Sequence, residues 1–311
     1  MRKTQLKGVL MLLITAMIWG AAFVAQSVGM ESVGAFTFSA VRMFMAVCVL
    51  LPVVRVRDKR IMRVLPPEKQ ELFQKRNRNT LRYGAILGVV LFTAANLQQM
   101  AFNYAASGKI AFITALYIFF VPLLSLFLGK RMPLLTWVSV GMACAGMYFL
   151  CVNPQEPGKI NTGDLLTLGS AVMNAIHILL IEKYVAETDG VKLSCVQFAV
   201  AGSISAVVMF AFEKPTLAAI GDAIVPLLYA GVLSCGLAYT LQIIGQRYTD
   251  STVASLLMCL ESVFGALFGA LLLGERLSGR EILGCAVMFA AILLSQTAPV
   301  LTERLRKLRR S

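Results

Sequence analysis

One histidine, His177, serves all 311 residues, only two tryptophans occur, and charged side chains make up 14% of the chain. A single imidazole and the absence of any Cys-x-x-Cys pair leave a zinc site without its usual ligand sets. No GxxxxGK phosphate loop is present, which removes ATP-driven chemistry, and neither HExxH nor GxSxG appears. Hydrolysis and metal catalysis therefore lack their parts, and the chain reads as a protein that is not an enzyme and needs no cofactor or metal.

What the sequence has in abundance is apolar length. Hydrophobic residues make up 58% of it and its mean hydropathy is +0.76, far beyond an ordinary globular domain. Ten apolar stretches approach the roughly 20 residues that cross a bilayer as a helix. They run over 6–28, 34–54, 83–102, 110–128, 134–152, 165–181, 193–212, 223–244, 252–273 and 282–294. The first follows Arg2, Lys3 and Lys7 but is longer than a signal-peptide core and lacks a small-residue cleavage site, so it counts as a span. The seven cysteines all fall in or beside these stretches and read as small membrane residues.

Lysine and arginine are retained on the cytoplasmic side. With the amino terminus inside, only Lys109, Lys159, Lys214, Arg276 and Arg280 lie outside, Arg42 lies within a span, and every other basic residue is inside. Both termini are thus expected in the cytoplasm. The net charge of +13 is concentrated between Arg55 and Arg82 and in the tail Arg304–Arg310. Both segments flank membrane, so contact with anionic lipids explains them better than nucleic acid does.

The two halves of the chain resemble each other. An offset of 155 puts Gly8 on Gly163, Trp19 on Asn174 and Val41-Arg42 on Val196-Gln197. An offset of 144 puts Leu97-Gln98 on Leu241-Gln242 and Tyr104 on Tyr248, and an offset of 145 puts "LGKR" at Leu128 on "LGER" at Leu273. Five helices is an odd number, so a second copy enters the membrane from the opposite face. The expected architecture is an all-α integral membrane protein of ten transmembrane helices, built as two inverted five-helix repeats, 1–152 and 153–311, around a central cavity.

The Trp-Gly of "AMIWGAAFV" (Ala16–Val24), the arginine of "SAVRMFMAV" and the "ESVFGALFGALLLGERL" near the end resemble the EamA-type families of the drug/metabolite transporter superfamily. The likeness extends from about Val9 to Leu294 and covers both repeats. It implies ten helices, a cavity lined by helices one, three, four, six, eight and nine, and movement of small metabolites or drugs across a bacterial cytoplasmic membrane. Two positions depart from the family pattern. Lys130 stands where a carboxylate follows the fourth helix, and Ser262 where a proline often follows the glutamate of the ninth.

At 1.5 Å per residue, Glu261 sits roughly 18 Å below the outer end of the ninth helix, and Trp19, Asn174 and His177 also fall near mid-membrane. An ionisable side chain there costs about 2.5–3.5 kcal/mol on insertion scales and usually marks a pathway. Glu261 is the leading candidate for exchanging a proton or a cationic substrate group. His177 is either a second proton site or a satisfied hydrogen-bond donor. Trp19, Asn174 and Tyr239 join Glu261 and His177 as expected substrate contacts, with Tyr117 a further aromatic surface. Arg42 reads as a structural anchor held by carbonyls or by a carboxylate, and Glu261 is a possible partner. The function expected is secondary active transport of a small organic metabolite or drug, as a proton-coupled exporter working by alternating access. Import of the same class of solute, and a non-transporting sensor or scaffold on this fold, are the alternatives. The sequence leaves open whether the protein is a monomer or a homodimer.

Overall fold

In hydrocarbon every backbone N–H and C=O must be satisfied within its own segment or a closed barrel, and this chain meets that demand with helices. The computed structural model describes residues 3–105, 107–130, 132–151, 160–273 and 278–308, and no strand occurs among them. The first half comprises α1 (Lys3–Gly29), α2 (Ala35–Val64), α3 (Pro67–Ala101), α4 (Ser107–Ala115), α5 (Tyr117–Phe127) and α6 (Leu134–Cys151). The second begins with α7 (Thr162–Tyr184) and α8 (Gly190–Phe212), followed by the short α9 (Leu217–Asp222) and α10 (Ile224–Leu228). A π-helical stretch (Tyr229–Tyr239) leads into α11 (Thr240–Gln246), and α12 (Ser251–Met258), α13 (Glu261–Leu273) and α14 (Gly279–Leu308) complete the chain.

Among the described residues, eight helical segments are long and apolar enough to cross a membrane. The other two expected spans coincide with α6, whose apolar part is the shorter Leu134–Phe149, and with α14, and these two helices pack on each other. The basic segment between Arg55 and Arg82 is largely helical: α2 continues to Val64 and α3 starts at Pro67, with proline at its first turn, where a missing N–H costs nothing. Aliphatic side chains such as Leu10, Val24, Val53, Val207 and Phe210 are exposed on the outer faces, as lipid contact requires.

Several helix N-termini are capped by side chains. Asn161 and Asp164 form a reciprocal capping box on α7, and Asp189 accepts from Lys192 N at the start of α8. The first turn of α2 is capped from another helix: Phe36 N and Thr37 N donate to the Glu213 carboxylate, which follows the end of α8, at 2.9 and 2.8 Å. At the other end of this antiparallel pair, near the start of α8, the Lys192 ammonium meets Asp58 of α2. Glu213 and Thr37 map onto Asp58 and Lys192 under the offset of 155.

Other equivalent positions also make equivalent contacts. Thr15 Oγ1 of α1 donates to the Ala238 carbonyl over 3.0 Å, and Ser170 Oγ of α7 donates to the Ala94 carbonyl over 2.8 Å. The helix pairings correspond too: α3 packs on α7 and α8, while the π-helical stretch packs on α1 and α2. Close backbone approach uses glycine. A Cβ on Gly20 of α1 would lie 2.7 Å from Glu261 O and Gly265 N, and one on Gly88 of α3 would lie 2.8 Å from Gln197 O. The Gly84/Gly88 pair, spaced as in helix–helix contact motifs, is thus filled by Val196 and Val200 of the same chain.

Candidate functional site

Two membrane helices are interrupted. The first breaks at Leu116 between α4 and α5, the second at Cys259-Leu260 between α12 and α13. Tyr117 and Glu261 are the first residues after the breaks, and Tyr117 Oη donates to Glu261 Oε1 over 3.2 Å across a separation of 144 residues. Irregular backbone at this depth is tolerated where protein or a polar cavity surrounds it, and a cavity does lie here. It is lined from α1 by Trp19, Ala22, Phe23 and Gln26, and from α2 by Arg42. Ala95, Gln98, Thr114 and Tyr117 line it from α3 to α5, and Asn174, Ser234, Tyr239 and Glu261 from the second half. The free volume they enclose is about 50 Å³, room for a few water molecules.

Its walls are of three kinds. Trp19 and Tyr239 form an aromatic side with ring centroids 4.6 Å apart, and Phe198 backs Tyr239 edge-on at 5.5 Å. The Trp19 indole N–H is buried with no acceptor among the described residues. Neutral polar groups form the second kind. Gln98 Nε2 donates to Thr114 Oγ1 over 3.0 Å, and Asn174 Nδ2 to Ser170 Oγ over 3.2 Å. Two charged residues complete the lining. Glu261 is 3% exposed and Arg42 is 6% exposed, and no ion pair among the described residues joins them. Arg42 instead donates from Nη1 to Gln26 Oε1 over 2.8 Å and lies over the Phe38 ring, 5.4 Å from its centroid.

Of the five expected contact residues, Trp19, Asn174, Tyr239 and Glu261 meet at this cavity. His177 does not line it. Its ring lies edge-on to Tyr239, 6.2 Å away, and its Nε2 donates to Gln197 Oε1 over 3.0 Å, so it stands behind the aromatic wall as a satisfied donor. Gln197 is the repeat counterpart of Arg42, so both second helices use this position to reach the first helix of their own half. Arg42 is the residue the sequence reading placed elsewhere. The family expectation set its helix apart from the cavity, whereas α2 leans in far enough for Arg42 to reach it. Gln26, Thr114 and Ser234 were not singled out at all. Tyr117 was identifiable through the offset of 144, which maps it onto Glu261.

Known proteins resemble the chain over most of its length. The profile of the EamA-like transporter family matches residues 6–152 and again 161–297. The chain is 26% identical to an uncharacterized transporter of Archaeoglobus fulgidus over 288 residues, covering 91% of this chain and 83% of that one. It is 25% identical to the threonine/homoserine exporter RhtA of Escherichia coli K12, covering 91% and 88%. A protein of known crystal structure has the same fold, with a TM-score of 0.75 at 18% identity, covering 96% of this chain and 98% of that one. The chain is a multi-pass membrane protein that belongs to the EamA-like transporter family, whose members move small molecules.

Proposed function

We propose that the protein is a secondary active exporter of a small organic metabolite or drug in the bacterial cytoplasmic membrane, driven by protons through alternating access. The observation that carries this reading is Glu261, a carboxylate buried at a helix break, facing a cavity shared by both halves. A carboxylate there binds either a proton or a cationic substrate group, and one site that holds only one of them at a time produces exchange. Outward direction is supported by the relatives named as exporters.

The mechanism rests on the halves 1–152 and 153–311 being inverted repeats of five spans each, with both termini inside. The matched contacts support this: Thr15 with Ala238 against Ser170 with Ala94, and Glu213 with Thr37 against Asp58 with Lys192. Two units of opposite orientation exchange conformations around a fixed central site. Trp19, Asn174 and Tyr239 contact the substrate, Glu261 couples protons, and His177 supports Tyr239 from behind. The basic ends of α2 and α3 rest against anionic lipid headgroups.

Everted vesicles carrying the protein test the reading. Under an imposed pH gradient they should accumulate at least one member of a panel of amino acids, polyamines, nucleosides and cationic dyes, and Glu261→Gln should abolish uphill accumulation. Absence of any solute flux from a folded, reconstituted preparation would favour a sensor or scaffold.

A further inference from the structure

Arg42 carries a charge that its packing does not use. Its repeat counterpart Gln197 makes the tie to the first helix of its own half with a neutral amide, accepting from His177 over 3.0 Å. Arg42 makes the equivalent tie by donating from Nη1 to Gln26 Oε1 over 2.8 Å. A guanidinium has five N–H donors and no acceptor, and among the described residues this is the one hydrogen bond that Arg42 makes. Its Nε is buried without an acceptor, and no carboxylate among the described residues lies within ion-pair distance of it. Gln26 and the Phe38 ring supply a dipole and a quadrupole, which offset only part of the desolvation of a full charge on a side chain that is 6% exposed. Buried charges are paired, and what is missing here is a negative one.

The cavity makes the same demand at a second place. The buried side-chain atoms of its lining that lack a partner among the described residues are Arg42 Nε and Trp19 Nε1, and both are donors that cannot accept. A water molecule brings two hydrogens of its own into such surroundings, whereas a halide ion accepts from every side and donates nothing. The free volume of about 50 Å³ admits a halide with a few waters and is far below what a metabolite-sized acid requires. We infer that Arg42 is a binding site for a halide ion in the central cavity, chloride being the abundant one. Glu261 on the same lining does not take that part, since Tyr117 holds its Oε1 and no ion pair joins it to Arg42. The ion neutralises the guanidinium while no organic solute is present. This goes beyond the transport reading, because binding of the ion requires neither flux nor a particular direction of it.

The chain's two tryptophans, Trp19 and Trp137, make the test direct, because bromide quenches indole fluorescence on contact. In the detergent-purified full chain carrying Trp137→Phe, the remaining indole is the one on the cavity wall. Bromide, with gluconate holding the ionic strength constant, should quench it saturably, with half the effect below about 150 mM, the physiological ionic strength. Chloride should relieve the quenching by competition, and in the unsubstituted protein it should raise the apparent melting temperature relative to gluconate. Arg42→Gln installs in the first half the side chain that the second half already carries at this position, and it should weaken both effects about tenfold or more. Lys214→Gln removes an exposed charge away from the cavity and should leave both unchanged. A purely structural Arg42 would lower the melting temperature without altering its dependence on chloride. If Arg42→Gln does not fold, the titrations of the parent protein decide alone. Quenching that rises linearly without relief by chloride, or a melting temperature that is the same in chloride and gluconate, overturns the inference. Saturable halide binding in a preparation that moves no solute would leave this site standing and remove the transport reading.

Discussion

Tyr117 donates a hydrogen bond to Glu261, and the two residues occupy the same position of the two halves, the first residue after a helix break. A contact between equivalent positions lies where a two-fold axis relating the halves would pass. The same site therefore carries a hydroxyl from one side and a carboxylate from the other. Tyr117→Phe removes the donor and keeps the ring. It should slow transport while costing about 0.5–1.5 kcal/mol of stability, the usual net contribution of a hydrogen bond; flux and chemical unfolding on the same preparation check both.

Glu213 and Asp58 hold opposite ends of the α2–α8 pair, so weakening one should favour opening at its own end. Glu213→Gln should increase labelling of Ser234→Cys, introduced in a cysteine-free background, by a membrane-impermeant thiol reagent added from outside. Asp58→Asn should increase labelling from the cytoplasmic side. If both variants changed labelling from the outside in the same direction, the gates would not be opposed.

At the Asp58 end of the α2–α8 pair, burial pushes the Asp189 carboxyl up, but the Arg57 hydrogen bond, the Lys192 N–H and Arg76 outweigh it and hold it below the ordinary value. A depressed carboxylate stabilises the fold above its unfolded value of about 3.9, and loses that contribution as pH falls through the lower folded value. Asp189→Asn keeps the helix cap but not the charge. Its melting temperature should trail the wild type at a constant interval from pH 7 down to about pH 4, with the interval closing only below that.

Gly20 touches the backbone at Glu261 and Gly265. Adding a methyl group there forces α1 away from the break, at about 1–3 kcal/mol for overpacking, and displaces Glu261. Gly20→Ala should therefore lose transport activity beyond its loss of stability. Gly141→Ala, where a Cβ meets nothing within 4 Å, serves as the matched control and should be neutral or slightly stabilising.

Hydropathy and charge made the membrane class legible, and the offsets of 155 and 144 made the internal likeness legible, because both are properties of residue order. Depth along a helix is also linear in sequence, which is why Trp19, Asn174, His177 and Glu261 could be gathered at one level. Which way a helix leans is not. Arg42 reaches the cavity because α2 packs along α8 and against the π-helical stretch, and the sequence of α2 carries no mark of that tilt. His177 shows the converse: it lies one turn beyond Asn174, yet its ring turns to Gln197 and leaves the cavity edge to Tyr239.

The π-helical stretch Tyr229–Tyr239 has as its counterpart the regular central part of α3. Were the halves identical, conformations open to the two faces would be mirror partners of equal free energy, and the resting molecule would spend equal time in each. A wider helical winding on one side alone lifts that degeneracy. Under the proposed alternating access, the protein would have a preferred resting face set by its own backbone, before any gradient acts, and a solute waiting on the other face would meet the smaller share of the population.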